Sequence, residues 1–222
     1  MNEQTAVIIG ASGLIGNHLV QQMLLDEHFD TVRVLVRKVL PIIHPKLQQE
    51  IVNFNDIDDH SSKLGKGNSI FCCIGTTQKK VKGDNEAYEK VDYDIALNAA
   101  KIGVENGFKK FLIVSSAGAN SNSKNFYLRL KGKIENALKV IPFYSICIFR
   151  PGQLLGKRNE YRRGEQFMQA ATKFISQFLI GSLQKYHSIQ ACDVAKAMIA
   201  ESKNYKPGIN ILEYKEMISA IS

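Results

Sequence analysis

The chain has 222 residues, 45% of them hydrophobic, with a formal net charge of +8 at neutral pH. That length fits one large α/β domain, and its apolar share can fill a core without disulfide or metal staples. The basic residues are scattered, and the densest runs (Lys79-Lys80-Val81-Lys82 and Arg162-Arg163) are short and come with no reading motif, so no nucleic-acid partner is expected.

Short β-rich runs alternate with longer amphipathic stretches, the pattern of a parallel sheet covered by helices. Thr5 to Ile9 reads as a buried first strand, and a glycine segment then opens a helix to about Leu25. Val32 to Val36 reads as the second strand, Glu50 to Phe54 as the third and Ile70 to Ile74 as the fourth. One long helix is expected from Asn85 to Asn106, then a fifth strand from Phe111 to Val114. After a polar linker, Phe126 to Lys139 reads as helix and Tyr144 to Phe149 as the sixth strand, closed by Arg150-Pro151-Gly152. The remainder reads as mostly helical, clearest from Asp193 to Ser202. The expected fold is a single Rossmann-type, doubly wound parallel sheet over residues 1–222, with about 150–222 adding a small substrate-side lobe.

Gly10-Ala11-Ser12-Gly13-Leu14-Ile15-Gly16 lies between the first strand and its helix, which is the context that gives a glycine triplet meaning. Gly10 suits the tight turn, Gly13 the close approach of a pyrophosphate, and Gly16 the packing of helix on sheet. The pyrophosphate then sits at the helix N-terminus, whose free N–H groups and dipole favour an anion. An acidic residue at the end of the second strand would bind the ribose of NAD, but this chain has Arg37 and Lys38 there. The arginine fork matches a 2′-phosphate, so NADP(H) is preferred over NAD(H). Asp56 is positioned to reach the adenine or, equally, to cap a helix at Ile57. Gly75, Thr76, Thr77, Pro151 and Gly152 follow strand ends and are further candidates for the cofactor groove.

Tyr127 and Lys131 stand four residues apart, on one face of a helix. An ammonium beside a phenol favours the phenolate. Such a phenol can exchange a proton with a carbonyl or alcohol oxygen during hydride transfer. Lys131 can also reach the nicotinamide ribose. Ser115 and Ser116 end the fifth strand at the edge where open α/β sheets bind ligands, and either hydroxyl could hold the same substrate oxygen.

These residues resemble the short-chain dehydrogenase/reductase superfamily, in the branch with Gly-x-x-Gly-x-x-Gly spacing, and most closely its Tat-interacting-protein-like group of atypical reductases. Phe71-Cys72-Cys73-Ile74-Gly75-Thr76-Thr77, Ser115-Ser116-Ala117-Gly118-Ala119, the stretch from Asn125 to Glu135, Phe149-Arg150-Pro151-Gly152 and Arg162-Arg163-Gly164-Glu165 carry the likeness. The resemblance implies NADP(H) binding and a Ser–Tyr–Lys arrangement with Ser116 the better match, a small-molecule substrate of no defined identity, and a homodimer through the long helix and the Tyr127 helix. It also implies an alternative, a non-catalytic NADP(H)-sensing regulator acting through a protein partner.

Cys72, Cys73, Cys147 and Cys192 lack zinc or redox spacing and suit a reducing compartment. The five histidines are dispersed, so no metal site is expected. Phe167, Phe174, Phe178 and Leu179 read as one buried helix face. With no signal peptide evident and no apolar run long enough to span a bilayer, a cytoplasmic protein without membrane contact is expected.

Overall fold

A computed structural model of the chain describes residues 3–156, 181–204 and 206–222. In chain order the elements are β1 (Thr5–Ile9), α1 (Leu14–Leu25), β2 (Thr31–Val36), β3 (Leu47–Ile51), α2 (Ile57–Leu64) and β4 (Ser69–Cys72). They continue with α3 (Asn85–Glu89), a π-helical turn (Lys90–Asp94), α4 (Ile95–Glu105), β5 (Lys110–Val114), α5 (Phe126–Leu138) and β6 (Ser145–Phe149). Last come β7 (Leu154–Leu155), a 3-10 turn (Gly181–Tyr186), β8 (Ile189–Gln190), α6 (Ala191–Lys203), β9 (Gly208–Leu212) and α7 (Tyr214–Ser219).

The main sheet runs in the order β3-β2-β1-β4-β5-β6-β9, with every pairing parallel. The chain leaves β1 toward one side for β2 and β3, then crosses to the other for β4, making a topological switch point beside β1. All five residues of β1 are buried, as a strand covered on both faces must be. Ala6 and Ile8 face a layer with Leu19 and Met23 of α1 and Met198 of α6. Val7 and Ile9 face Leu64 of α2, Ala99 of α4 and Ile134 of α5.

The expected fold class is the one observed, with local corrections. β3 covers Leu47–Ile51, not Glu50 to Phe54, because pairing with β2 aligns Val32 with Leu47 and Val36 with Ile51. As an edge strand it accepts Gln48, Gln49 and Glu50, which hide it from a hydrophobic-pattern reading. The long helix is broken by the π-helical turn, on which Asp92 is 2% exposed. Within residues 150–222, α6 packs against α1 and β9 extends the main sheet. The 3-10 turn lies against Gly152. Among the described residues no helix is long and apolar enough to cross a membrane.

Candidate functional site

The glycine turn has the geometry that its spacing predicts. Gly10 has φ +88°, and a Cβ there would stand 2.7 Å from the Cys73 carbonyl, so neither the backbone nor the space admits a larger residue. A Cβ on Gly16 would meet the Gly10 carbonyl carbon at 2.8 Å and Ala11 Cα at 2.9 Å, the close helix-on-turn packing expected of the third glycine. Gly13 is the N-cap of α1, and among the described residues no side chain closes that helix end. Its first N–H groups therefore remain available to an anion. Ser12 is exposed, Leu14 half-buried, and Ile15 buried in the core, leaving Ile15 only its backbone to offer. Arg37 and Lys38 stand exposed just past β2. Asp56 caps α2, its Oδ1 accepting from the N–H groups of Asp58 at 3.0 Å and Asp59 at 3.1 Å.

Lys131 lies on α5 under an almost complete cover. Its Nζ is 3.0 Å from Asp92 Oδ1, with 5% and 1% of the two side chains exposed. Asp92 Oδ2 accepts the Thr76 N–H at 2.7 Å. Lys131 Nζ also stands 5.8 Å from the centroid of the Tyr127 ring. Burial opposes the lysine charge, but Asp92, with Tyr127 and Cys72, outweighs it and holds the ammonium above the ordinary lysine range. Tyr127, in the first turn of α5, is 37% exposed. Asp92 is the residue that the sequence reading missed. Nothing in the sequence set it apart from Glu86, Glu89 and Asp94 on the same stretch.

The two serines have different surroundings. Ser115 is buried and donates to Glu135 Oε1 at 2.5 Å. Glu135, itself 2% exposed, also accepts from Arg150 Nε at 3.0 Å and pairs with Arg150 Nη2. This cluster ties the end of β5 to α5 and β6. Ser116 is half-buried, and among the described residues its hydroxyl reaches only the neighbouring Ala117 carbonyl, at 3.3 Å. The Pro151 carbonyl accepts the Ala117 N–H at 2.9 Å, and a Cβ on Gly152 would press on the Tyr186 carbonyl at 2.8 Å. Gly75 packs beside Asp92, and Thr77 Oγ1 accepts the Lys80 N–H at 3.3 Å, closing the loop after β4. Cys72 is buried, and burial pushes its thiol up to about 11, which suits packing and not nucleophilic chemistry. Among the described residues no group of three or more histidine, cysteine, aspartate or glutamate side chains could hold a metal ion. Arg162 to Glu165 and the Phe167–Leu179 face lie outside the described residues.

The HIM1 family model matches residues 37–185, about two thirds of the chain. The chain belongs to the HIM1 family. Among its relatives, Protein HTATIP2 of Rattus norvegicus is 31% identical over 219 residues, covering 97% of this chain and 87% of that protein. A protein named "Protein FMP52, mitochondrial", from Candida glabrata, is 36% identical over 166 residues, 74% of this chain and 70% of that protein. In fold, HIM1-family architecture here matches MoeE5 in complex with UDP-glucose and NAD at a TM-score of 0.70 and 14% identity, over 97% of this chain and 80% of the other. The likeness to the Tat-interacting-protein-like group therefore stands, and so does the Rossmann-like fold.

The cytoplasmic expectation does not. Relatives in several further species bear the same mitochondrial name. The expectation rested on reduced cysteines and the lack of an apolar span, and neither feature separates the cytosol from a mitochondrial compartment.

Proposed function

We propose that the protein is an NADP(H)-dependent oxidoreductase of the short-chain dehydrogenase/reductase type, acting on a small carbonyl or alcohol. The observation that carries this reading is one run of contacts linking the cofactor turn to the Tyr–Lys pair. Gly10 packs on the backbone of Cys73 after β4, Thr76 of the same loop donates to Asp92, and Asp92 holds Lys131 beside Tyr127. The site fits a dinucleotide, because only glycine is accommodated at the turn and the α1 N-terminus is open.

In this reading the α1 N–H groups bind the pyrophosphate and Arg37, with Lys38, binds the 2′-phosphate. Lys131 hydrogen-bonds the nicotinamide ribose. Ser116 orients the substrate oxygen, and Tyr127 gives that oxygen a proton in reduction and takes one from it in oxidation. The bound nicotinamide supplies or accepts the hydride. Tyr127→Phe tests the assignment. It should lower turnover by about 100-fold or more while leaving NADPH affinity unchanged, and a variant with full activity would remove the acid–base role.

A second reading is a sensor that reports the NADP+/NADPH balance to a protein partner. That reading keeps the same cofactor contacts, with Lys131 held by a buried carboxylate, and needs no turnover. A purified protein that reduces carbonyls without any partner would count against it. We also assign the protein to mitochondria, as the FMP52 names suggest, and subcellular fractionation checks this.

A further inference from the structure

We propose that Tyr186 is a specificity-determining residue of the substrate site, its hydroxyl donating to a second oxygen that the substrate carries one or two carbons from the reacting carbonyl. The inference rests on the oxidoreductase reading and gives its substrate a class, the hydroxy-substituted carbonyl compounds. Tyr186 ends the 3-10 turn and is held where β5 and β6 leave the sheet, the edge at which open α/β sheets bind ligands. β8, just beyond it, pairs in parallel with β7, and Ile189 N–H donates to the Gln153 carbonyl at 2.9 Å. A Cβ on Gly152 would stand 2.5 Å from the His187 carbonyl, so the turn closes onto the end of β6 only because that residue is glycine.

The phenol then lies over the turn that follows β5. Gly118 there has φ +80°, and a Cβ on it would stand 3.3 Å from Tyr186 Oη and 3.8 Å from Leu128 Cδ1. Leu128 is the neighbour of Tyr127 on α5, and Gly118 is two residues beyond Ser116. Consecutive Cα atoms are about 3.8 Å apart, so Tyr186 reaches the far end of a small substrate whose carbonyl Ser116 holds. Tyr186 is 43% exposed, and among the described residues its hydroxyl has no hydrogen-bond partner. Lys185 Nζ stands 5.4 Å from the centroid of its ring, and an ammonium on a phenol face strengthens the O–H as a donor. Ser116 and Tyr127 already serve the reacting oxygen, which leaves Tyr186 for another. A hydrocarbon chain would strip water from this hydroxyl and give it no acceptor, so the site selects against such a substrate.

Two pairs of ketones test this, hydroxyacetone against butanone and diacetone alcohol against methyl neopentyl ketone, each exchanging a hydroxyl for a methyl. With NADPH, the hydroxyl-bearing member of at least one pair should be favoured about 10-fold in kcat/KM, and Tyr186→Phe should abolish that preference without slowing the methyl-bearing member. A ratio near one in the unaltered protein, or a preference that survives Tyr186→Phe, overturns the proposal. Tyr127→Phe should instead slow both members alike, so the two assignments fail separately. A second arm needs no turnover. In protein with carbon-labelled tyrosine rings, with and without NADP+, the Tyr186 Cζ resonance (identified by its absence from Tyr186→Phe) should move on adding the hydroxyketone and stay fixed with its methyl analogue. A resonance indifferent to both rejects the proposal. Were no ketone reduced while the resonance moved, the oxidoreductase reading would fall and the oxygen contact of Tyr186 would stand.

Discussion

Replacing Asp92 with alanine strips the partner from a buried cation. Only 5% of the Lys131 side chain is exposed, and its ammonium stands 3.0 Å from the lost carboxylate. Breaking a buried pair on one side costs about 3–5 kcal/mol, because the remaining charge is left in a low-dielectric site. The Thr76 N–H, 2.7 Å from the other oxygen, also loses its acceptor, worth about 1–3 kcal/mol when unsatisfied. Local relaxation makes these losses overlap, so we expect about 4 kcal/mol in urea unfolding at pH 7. That is a large part of the roughly 5–15 kcal/mol a domain holds. The double variant Asp92→Leu with Lys131→Met removes both charges and should recover to within about 2 kcal/mol of the parent, the residue being mostly Thr76. If Asp92→Ala cost less than about 1 kcal/mol, or the single losses simply added in the double variant, the buried pair would not be the strut described here.

Three further outcomes follow from the same contacts. Among the described residues neither ring nitrogen of the fully buried His60 has a hydrogen-bond partner, and burial pushes its pKa from 6.5 down to about 4. The unfolded chain takes up this proton near 6.5 and the folded chain only near 4, so His60 makes stability fall as pH drops through that window, by about 3 kcal/mol at the acid end. His60→Leu should raise stability at pH 7 and flatten that slope, and an unchanged pH profile in denaturant titrations would contradict it. Ser115→Ala should cost stability, about 1–3 kcal/mol, by depriving buried Glu135 of a donor, whereas Ser116→Ala should leave melting unchanged and slow turnover; the reverse pattern would exchange their roles. Arg37→Glu should weaken NADPH binding about 10- to 100-fold, from the loss of charge-assisted bonds, with little effect on NADH. Equal losses for both by titration calorimetry would remove the 2′-phosphate contact.

Much of this architecture is written in local patterns. Thr5 to Ile9 followed by Gly10, Gly13 and Gly16 is legible because steric demands at a turn leave only glycine. Tyr127 and Lys131 share a helix face through spacing alone. What was hidden depends on contacts distant in sequence. Asp92 becomes a ligand of Lys131 only because the π-helical turn places it against α5 and the loop after β4. The division of labour between Ser115 and Ser116 depends on Glu135 and Arg150, twenty and more residues away. β3 was misplaced because an edge strand tolerates glutamines, and β9 escaped notice because five residues with a central asparagine carry little signal.

Thermal melting of the purified protein with NADPH, NADP+, NADH and no ligand tests the central claim of a dinucleotide site most directly. Ligand at 100 times its dissociation constant stabilises the native state by about 2.7 kcal/mol, or about 5–10 °C for a chain of this size. The site described here predicts that rise with NADPH and NADP+ and a much smaller one with NADH. No shift with any of the three would contradict the glycine turn as a cofactor site, and with it the roles given to Ser116, Tyr127 and Lys131.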